Sequence, residues 1–214
     1  MDVDLCFVMD CTSSMSGHIA GAKDCILKVT DEVKGMEKVK SIRFGFCGYR
    51  DHCDGPDRLQ LSDSFTDCFT NSSVEFRNFI GTVEAKGGGD SPEDVLGGLN
   101  AAVTRMGWRS EVRILIHVGD CPPHGRHFHN LDDNNPDGDP NGLTEEGVLK
   151  DLTSKNIQYS FGKITSKTDT MIRIFRDIIG EFQVFKLDDA AELVNKFKDV
   201  TTAETIKYAI SLYE

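Results

Sequence analysis

Asp4 to Met9 is an almost unbroken apolar run, the pattern of a central parallel strand covered on both faces. Apolar positions then move to spacings of three and four at Ile19, Ala22, Ile26, Val29 and Val33, which predicts an amphipathic helix ending near Gly35. Ile42, Phe44 and Phe46 alternate with Arg43, Gly45 and Cys47 as in a second strand, and the stretch from Leu59 to Phe69 offers a short edge strand. A helix is expected over Val74 to Val83. Another carries the stripe Val95, Leu96, Leu99, Val103 and Met106, with Ser91 and Pro92 read as its cap and first turn. Arg113 to Val118 is a strongly apolar strand. After a long polar loop come a helix over Thr144 to Ser154, a strand over Ile157 to Ile164 and a helix from Thr168 to Ile179 stopped by Gly180. A last strand, Phe182 to Leu187, and a closing helix from Ala190 to Val200 complete the pattern. Strands alternating with helices predict an α/β fold, a doubly wound and mostly parallel sheet with helices on both faces.

The 214 residues fit one domain spanning 1–214 and can bury a sizeable core. A formal charge of -11 with no basic cluster argues against a nucleic-acid surface and suits cation binding. No apolar run approaches the ~20 residues of a membrane span, and no leader-like segment precedes the first strand. The seven cysteines, Cys6, Cys11, Cys25, Cys47, Cys53, Cys68 and Cys121, are odd in number and lack C-x-x-C spacing. They are expected to be reduced, in a cytoplasmic protein. Cys11 and Cys121 each follow an aspartate, whose charge would raise a thiol pKa and blunt its reactivity.

Three polar clusters border these strands and helices: Asp10, Thr12 and Ser14 after the first strand, Asp90 and Ser91 after three glycines, and Asp120 after the apolar strand VRILIHV. In an open α/β sheet ligands lie outside the carboxyl ends of the strands, so these segments are placed to converge. Asp10, Thr12, Ser14 and Asp120 are hard oxygen donors suited to Mg²⁺, with Mn²⁺ or Ca²⁺ as alternatives. Hydroxyls at i and i+2 beyond a strand can point the same way and share one cation with a carboxylate. The competing reading is that Thr12 and Ser14 only cap the following helix.

The pattern D-x-T-x-S with a later acidic strand end resembles the von Willebrand factor A domain and its metal-ion-dependent adhesion site. The stretches FGFCGYRDH, GGGDSPEDVLGGL and GDCPPHG resemble the A domains found with atypical alpha-kinases and in hemicentin-like proteins. The resemblance implies strand order 3-2-1-4-5-6 with strand 3 antiparallel. It also implies direct metal contact by Thr12 and Ser14, with Asp10 and Asp120 acting through water. Counting back from a helix starting at Pro92, Asp90 takes the place of the usual threonine. It would make a third carboxylate, leaving a formal charge of -1 around a divalent ion and a weaker acceptor for a partner's carboxylate.

The resemblance further implies a metal-dependent protein-interaction module, regulatory or scaffolding in a longer protein, that captures a protein partner through an acidic side chain. Arg50, His124 and His127 are candidate rim residues. The polar loop 124–142 begins like a calcium loop at Asp133, Asn135, Asp137 and Gly138, but Thr144 stands where a bidentate Glu is needed. No phosphate loop, nucleophile elbow or kinase motif is present. Two alternatives stay open: a metal-dependent hydrolase or phosphatase with Asp10 as nucleophile, which lacks the D-x-D spacing, and a purely structural metal.

Overall fold

Strand β1 (Asp2–Asp10) lies at the middle of a six-stranded sheet of order β3-β2-β1-β4-β5-β6. The computed structural model describes residues 2–34, 39–62 and 69–186. β1 pairs in parallel with β2 (Ser41–Tyr49) and β4 (Val112–Gly119), and β5 (Gln158–Lys163) and β6 (Gln183–Lys186) extend the parallel run. The short strand β3 (Leu59–Leu61) is antiparallel to β2, as the family pattern implies. The expected closing helix from Ala190 to Val200 lies outside the described residues.

Successive residues of β1 serve opposite faces, as the period of a strand requires. Val3, Leu5, Phe7 and Met9 pack with α1 (Ile19–Lys34) and α2 (Ser73–Thr82), while Cys6 and Val8 join α3 (Val95–Arg105), α4 (Glu145–Ser154) and α5 (Asp169–Ile179). This explains why β1 reads as continuous rather than alternating hydrophobicity. Each fully buried Leu, Val or Phe contributes about 1.5–3 kcal/mol. The stripe Val95, Leu96, Leu99, Val103 and Met106 is buried throughout, and Gly180, at φ 82°, ends α5 with its N–H bonded to the Arg176 carbonyl.

One expected boundary moves. α3 starts at Val95, with Asp94 rather than Ser91 as its cap: the Asp94 carboxylate accepts the Gly97 N–H at 2.9 Å and the Arg58 Nε at 2.9 Å. An ionised cap at a helix N-terminus is favoured by both hydrogen bonding and the dipole. The three-residue shift changes which side chain reaches the sheet edge.

At the amino end of the sheet, Asp4 is fully buried beside Arg43. It accepts bonds from Arg43 Nε and Nη2, both at 2.8 Å, from the N–H groups of Arg109 and Ser110, and from the Ser110 hydroxyl. Burial raises its pKa, but the Arg43 and Ser110 donors outweigh burial and hold it below the ordinary 3.8. A depressed carboxylate adds stability above its unfolded pKa and loses it as pH falls through the folded value. Asp4→Ala removes the carboxylate on which a buried guanidinium rests. We expect a loss of about 3–5 kcal/mol in urea unfolding at neutral pH. A loss below about 1 kcal/mol, the scale of an exposed pair, would contradict this account.

Candidate metal centre

The β1–β2 and β1–β4 registers bring Asp10 beside Tyr49 and Met9 beside Val118, so the ends of three strands form one edge. The chain leaves β1 with the Cys11 N–H still bonded to the Tyr49 carbonyl, and Met15, fully buried, anchors the short 3-10 turn at Ser13–Gly17. Between them, the Thr12 N–H and hydroxyl both donate to Asp10 Oδ1, at 2.9 and 2.6 Å. Thr12 Oγ1 lies 3.1 Å from Ser14 Oγ, which donates to Asp120 Oδ1 at 3.1 Å. Asp10, Thr12, Ser14 and Asp120 thus form a continuous chain of oxygen atoms. Thr12 makes no side-chain capping bond to the turn that follows, so capping does not account for its hydroxyl.

Asp90 does not enter this chain. Its Oδ2 accepts the Asn134 N–H at 2.6 Å, and its carboxylate lies with Asp51 and His124. The later start of α3 turns Glu93 toward Asp10 instead. Glu93 is 2 % exposed, its N–H is bonded to the Pro122 carbonyl at 3.0 Å, and Thr12 is within hydrogen-bonding reach of its carboxylate. Gly88, at φ +90°, covers this point: a Cβ there would lie 3.3 Å from both Glu93 Oε1 and the Thr12 side chain. Glu93 was not anticipated from the sequence. The signal was available, since Asp94 stands directly before the first periodic residue, Val95, and is a better cap position than Ser91.

The centre is electrostatically unbalanced. Burial, then the charge of Asp120, push the Asp10 carboxyl up to about 8. Burial, then Asp10 and Asp51, also push the Glu93 carboxyl well above its usual range. Asp10 Oδ2 and Glu93 Oε2 are both buried without a hydrogen-bond partner. The unpartnered Asp10 Oδ2, on a carboxylate linked through two hydroxyls to a second carboxylate, belongs to a donor set whose chemistry fits a hard divalent cation. Burial, with Asp10 or Asp120 adding to it, raises the Cys11 and Cys121 thiols above the range of a reactive thiolate.

Of the rim candidates, only His127 is exposed, half open to solvent and 3.0 Å from Glu145 Oε1. Arg50 is 6 % exposed and donates to the carbonyls of Asp57, at 2.5 Å, and Glu84, at 3.4 Å, bracing two loops. His124 is 2 % exposed and bridges Asp51 Oδ1 at 2.8 Å and Asp133 Oδ1 at 2.6 Å. Its burial is outweighed by these carboxylates, which lift its pKa to about 9. Asp133 also accepts the N–H groups of Gly125 and Asn135, and Asp137 is almost fully exposed. The loop's first aspartate is therefore committed to holding the loop rather than to a calcium-loop geometry.

The strand order and the helices packed around the sheet define a doubly wound α/β domain with oxygen donors gathered at the carboxyl edge. A profile of the von Willebrand factor A domain matches residues 4–123, and the chain belongs to that family. It is 40% identical over 175 residues to the alpha-protein kinase vwkA of Dictyostelium discoideum, an alignment covering 81% of this chain and 27% of the kinase. Among solved structures it resembles proximal thread matrix protein 1 from the mussel byssus, at 16% identity and TM-score 0.63, covering 94% of this chain and 45% of that one. A second crystal form of that protein gives 15% identity and TM-score 0.61. The chain thus spans about a quarter of the kinase and under half of the thread protein.

Raised carboxyl pKa values set the sign of the pH dependence without metal. Between the ordinary 3.8 and about 8, folded Asp10 holds a proton that the unfolded chain releases. Stability in chelator should therefore fall as pH rises through that window. Asp10→Asn keeps an oxygen for Thr12 and removes the charge. We expect it to flatten this slope and raise the melting temperature at pH 8 by a few degrees, about 2–4 °C for each kcal/mol relieved. A wild-type melting profile in EDTA that does not fall over this range would overturn the electrostatic account.

Proposed function

We propose that this domain is a divalent-metal-dependent protein-interaction module, regulatory or scaffolding within a longer cytoplasmic protein. The observation that carries the reading is Asp10 Oδ2, a buried oxygen without a partner at the end of a connected oxygen-donor chain, with Glu93 Oε2 a second unpartnered oxygen on the carboxylate near Thr12. Asp10, Thr12, Ser14, Glu93 and Asp120 would hold the ion, with Mg²⁺ the best match to hard donors and Mn²⁺ or Ca²⁺ as alternatives. Asp90 is left out of this set because its carboxylate turns to Asn134. A bound ion would supply an open coordination position for an acidic side chain of a partner protein.

Glu93 supplies the surplus negative charge that the sequence assigns to Asp90. Asp10, Glu93 and Asp120 give three carboxylates, so a divalent ion leaves a formal charge of -1 when all are ionised. The domain therefore holds its cation firmly and receives a partner's carboxylate weakly. Asp10 is fully buried with Oδ1 held by Thr12, which does not suit an attacking nucleophile and favours binding over phosphoryl chemistry. The free thiols Cys11, Cys53 and Cys121 and the kinase relative support a cytoplasmic setting.

Calorimetry with Mg²⁺ and Mn²⁺ tests the reading. One saturable site is expected, lost in Asp10→Ala and weakened at least about tenfold in Glu93→Gln, with protein partners released from the immobilised domain by EDTA. An unchanged isotherm in Asp10→Ala, or partner binding indifferent to EDTA, would sink it.

A further inference from the structure

Three conspicuous segments of the sequence contribute residues that the Asp10 centre does not use: Asp51 after β2, Asp90 before α3 and His124 after β4. One donor atom from each lies within 4.8 Å of the others. Asp51 and His124 are each 2 % exposed. Behind the imidazole, Asp133 Oδ1 engages Nδ1 at 2.6 Å, and the N–H groups of Gly125 and Asn135 fix that carboxylate in turn. This directs Nε2 to the side where Asp51 Oδ1 lies, 2.8 Å away. A carboxylate behind one nitrogen of a histidine is the usual support for a metal on the other.

The second observation is Asp90 Oδ1, which is buried and has no hydrogen-bond partner, while Oδ2 accepts from Asn134. A proton on His124 satisfies the contact with Asp51 but leaves this oxygen without a donor. Asp51, Asp90 and Asp133 bring three carboxylates to this cluster, against the two imidazoles of His124 and of His129, which lies 3.4 Å from Asp133 Oδ2. We propose that Asp51, Asp90 and His124 form a second metal site, for a borderline ion such as Zn²⁺. One nitrogen and two carboxylate oxygens favour Zn²⁺ over Mg²⁺, and three protein ligands leave a fourth position open. The ion replaces the Nε2 proton, which passes to solvent, and joins the loop 124–142 to the end of β2.

The test uses the intact chain with excess Mg²⁺ present, so that the Asp10 centre is occupied by its own ion. Equilibrium dialysis against Zn²⁺ is expected to give one Zn²⁺ per chain. Asp90→Asn, which retains the acceptor for Asn134, should weaken Zn²⁺ at least about tenfold and leave the Mg²⁺ isotherm intact. Asp10→Ala should do the reverse, so failure here and failure of the first centre are distinguishable. Histidine ¹⁵N spectra of the wild type supply a readout that does not depend on a variant folding: Zn²⁺ should remove the His124 Nε2 proton and shift that nitrogen. No bound Zn²⁺, a Nε2 proton that persists, unaltered affinity in Asp90→Asn, or loss of Zn²⁺ in Asp10→Ala would each overturn the site.

Discussion

Buried negative charge at the carboxyl edge of the sheet is the constraint on which the rest of this domain depends. Two other buried carboxylates show what full satisfaction looks like: Asp4 accepts five hydrogen bonds, and Asp94 binds both a helix N–H and a guanidinium. Asp10 and Glu93 are treated differently. Both are buried at the meeting point of three chain segments, and each keeps an oxygen that no donor reaches. A buried carboxylate without donors costs several kcal/mol unless it takes up a proton or a cation. The domain can carry that cost only because the surrounding frame is well packed.

That frame is visible immediately beneath the centre. Tyr49 on β2, His117 on β4 and Tyr159 on β5 form a buried line, with the two phenolic oxygens each 2.8 Å from a His117 nitrogen. Burial alone pushes His117 down to about 3, so the line is neutral and adds no charge below the carboxylates. Small residues let it approach. A Cβ at Gly119 would stand 2.7 Å from the Tyr49 hydroxyl, and one at Gly98 would stand 2.6 Å from the Tyr49 ring. Strand β4 and helix α3 therefore close onto Tyr49, and this positions Asp120 and Glu93 relative to Asp10. The precision of the centre comes from packing rather than from the polar residues themselves.

Much of this was legible in the sequence because its signals are local. The apolar run of β1, the i, i+3, i+4 stripe of α3 and the D-x-T-x-S spacing each fix a short segment, and the strand-end rule brings the segments to one edge. What escaped was decided by a boundary. Placing the helix start at Pro92 points to Asp90 as the third carboxylate, whereas with α3 starting at Val95 the carboxylate near Thr12 is Glu93 and Asp90 accepts from Asn134. Helix ends are decided by single capping bonds, here Asp94 to Gly97, and periodicity does not resolve them. Arg50 and His124 escaped for a different reason. Charged side chains in loops look exposed in a sequence, and only the tertiary arrangement reveals that Arg50 finds carbonyls and His124 finds two carboxylates.

The exposure of the donors also sets how a partner can approach. Asp10 and Thr12 are closed off and Asp120 is 7 % exposed, while Ser14 is open to solvent, as are Ser13 and Gly88 beside it. The loop 124–142 is tied down by His124, Asp90 and His52 through Asp133, Asn134 and Asp139. The exposed part of the centre is thus the turn that carries Ser13 and Ser14, with Gly88 of the glycine run beside it. On the function proposed above, an acidic side chain of a partner would enter across this turn, and Gly88 and Glu93 are the residues through which this sequence would set its selectivity.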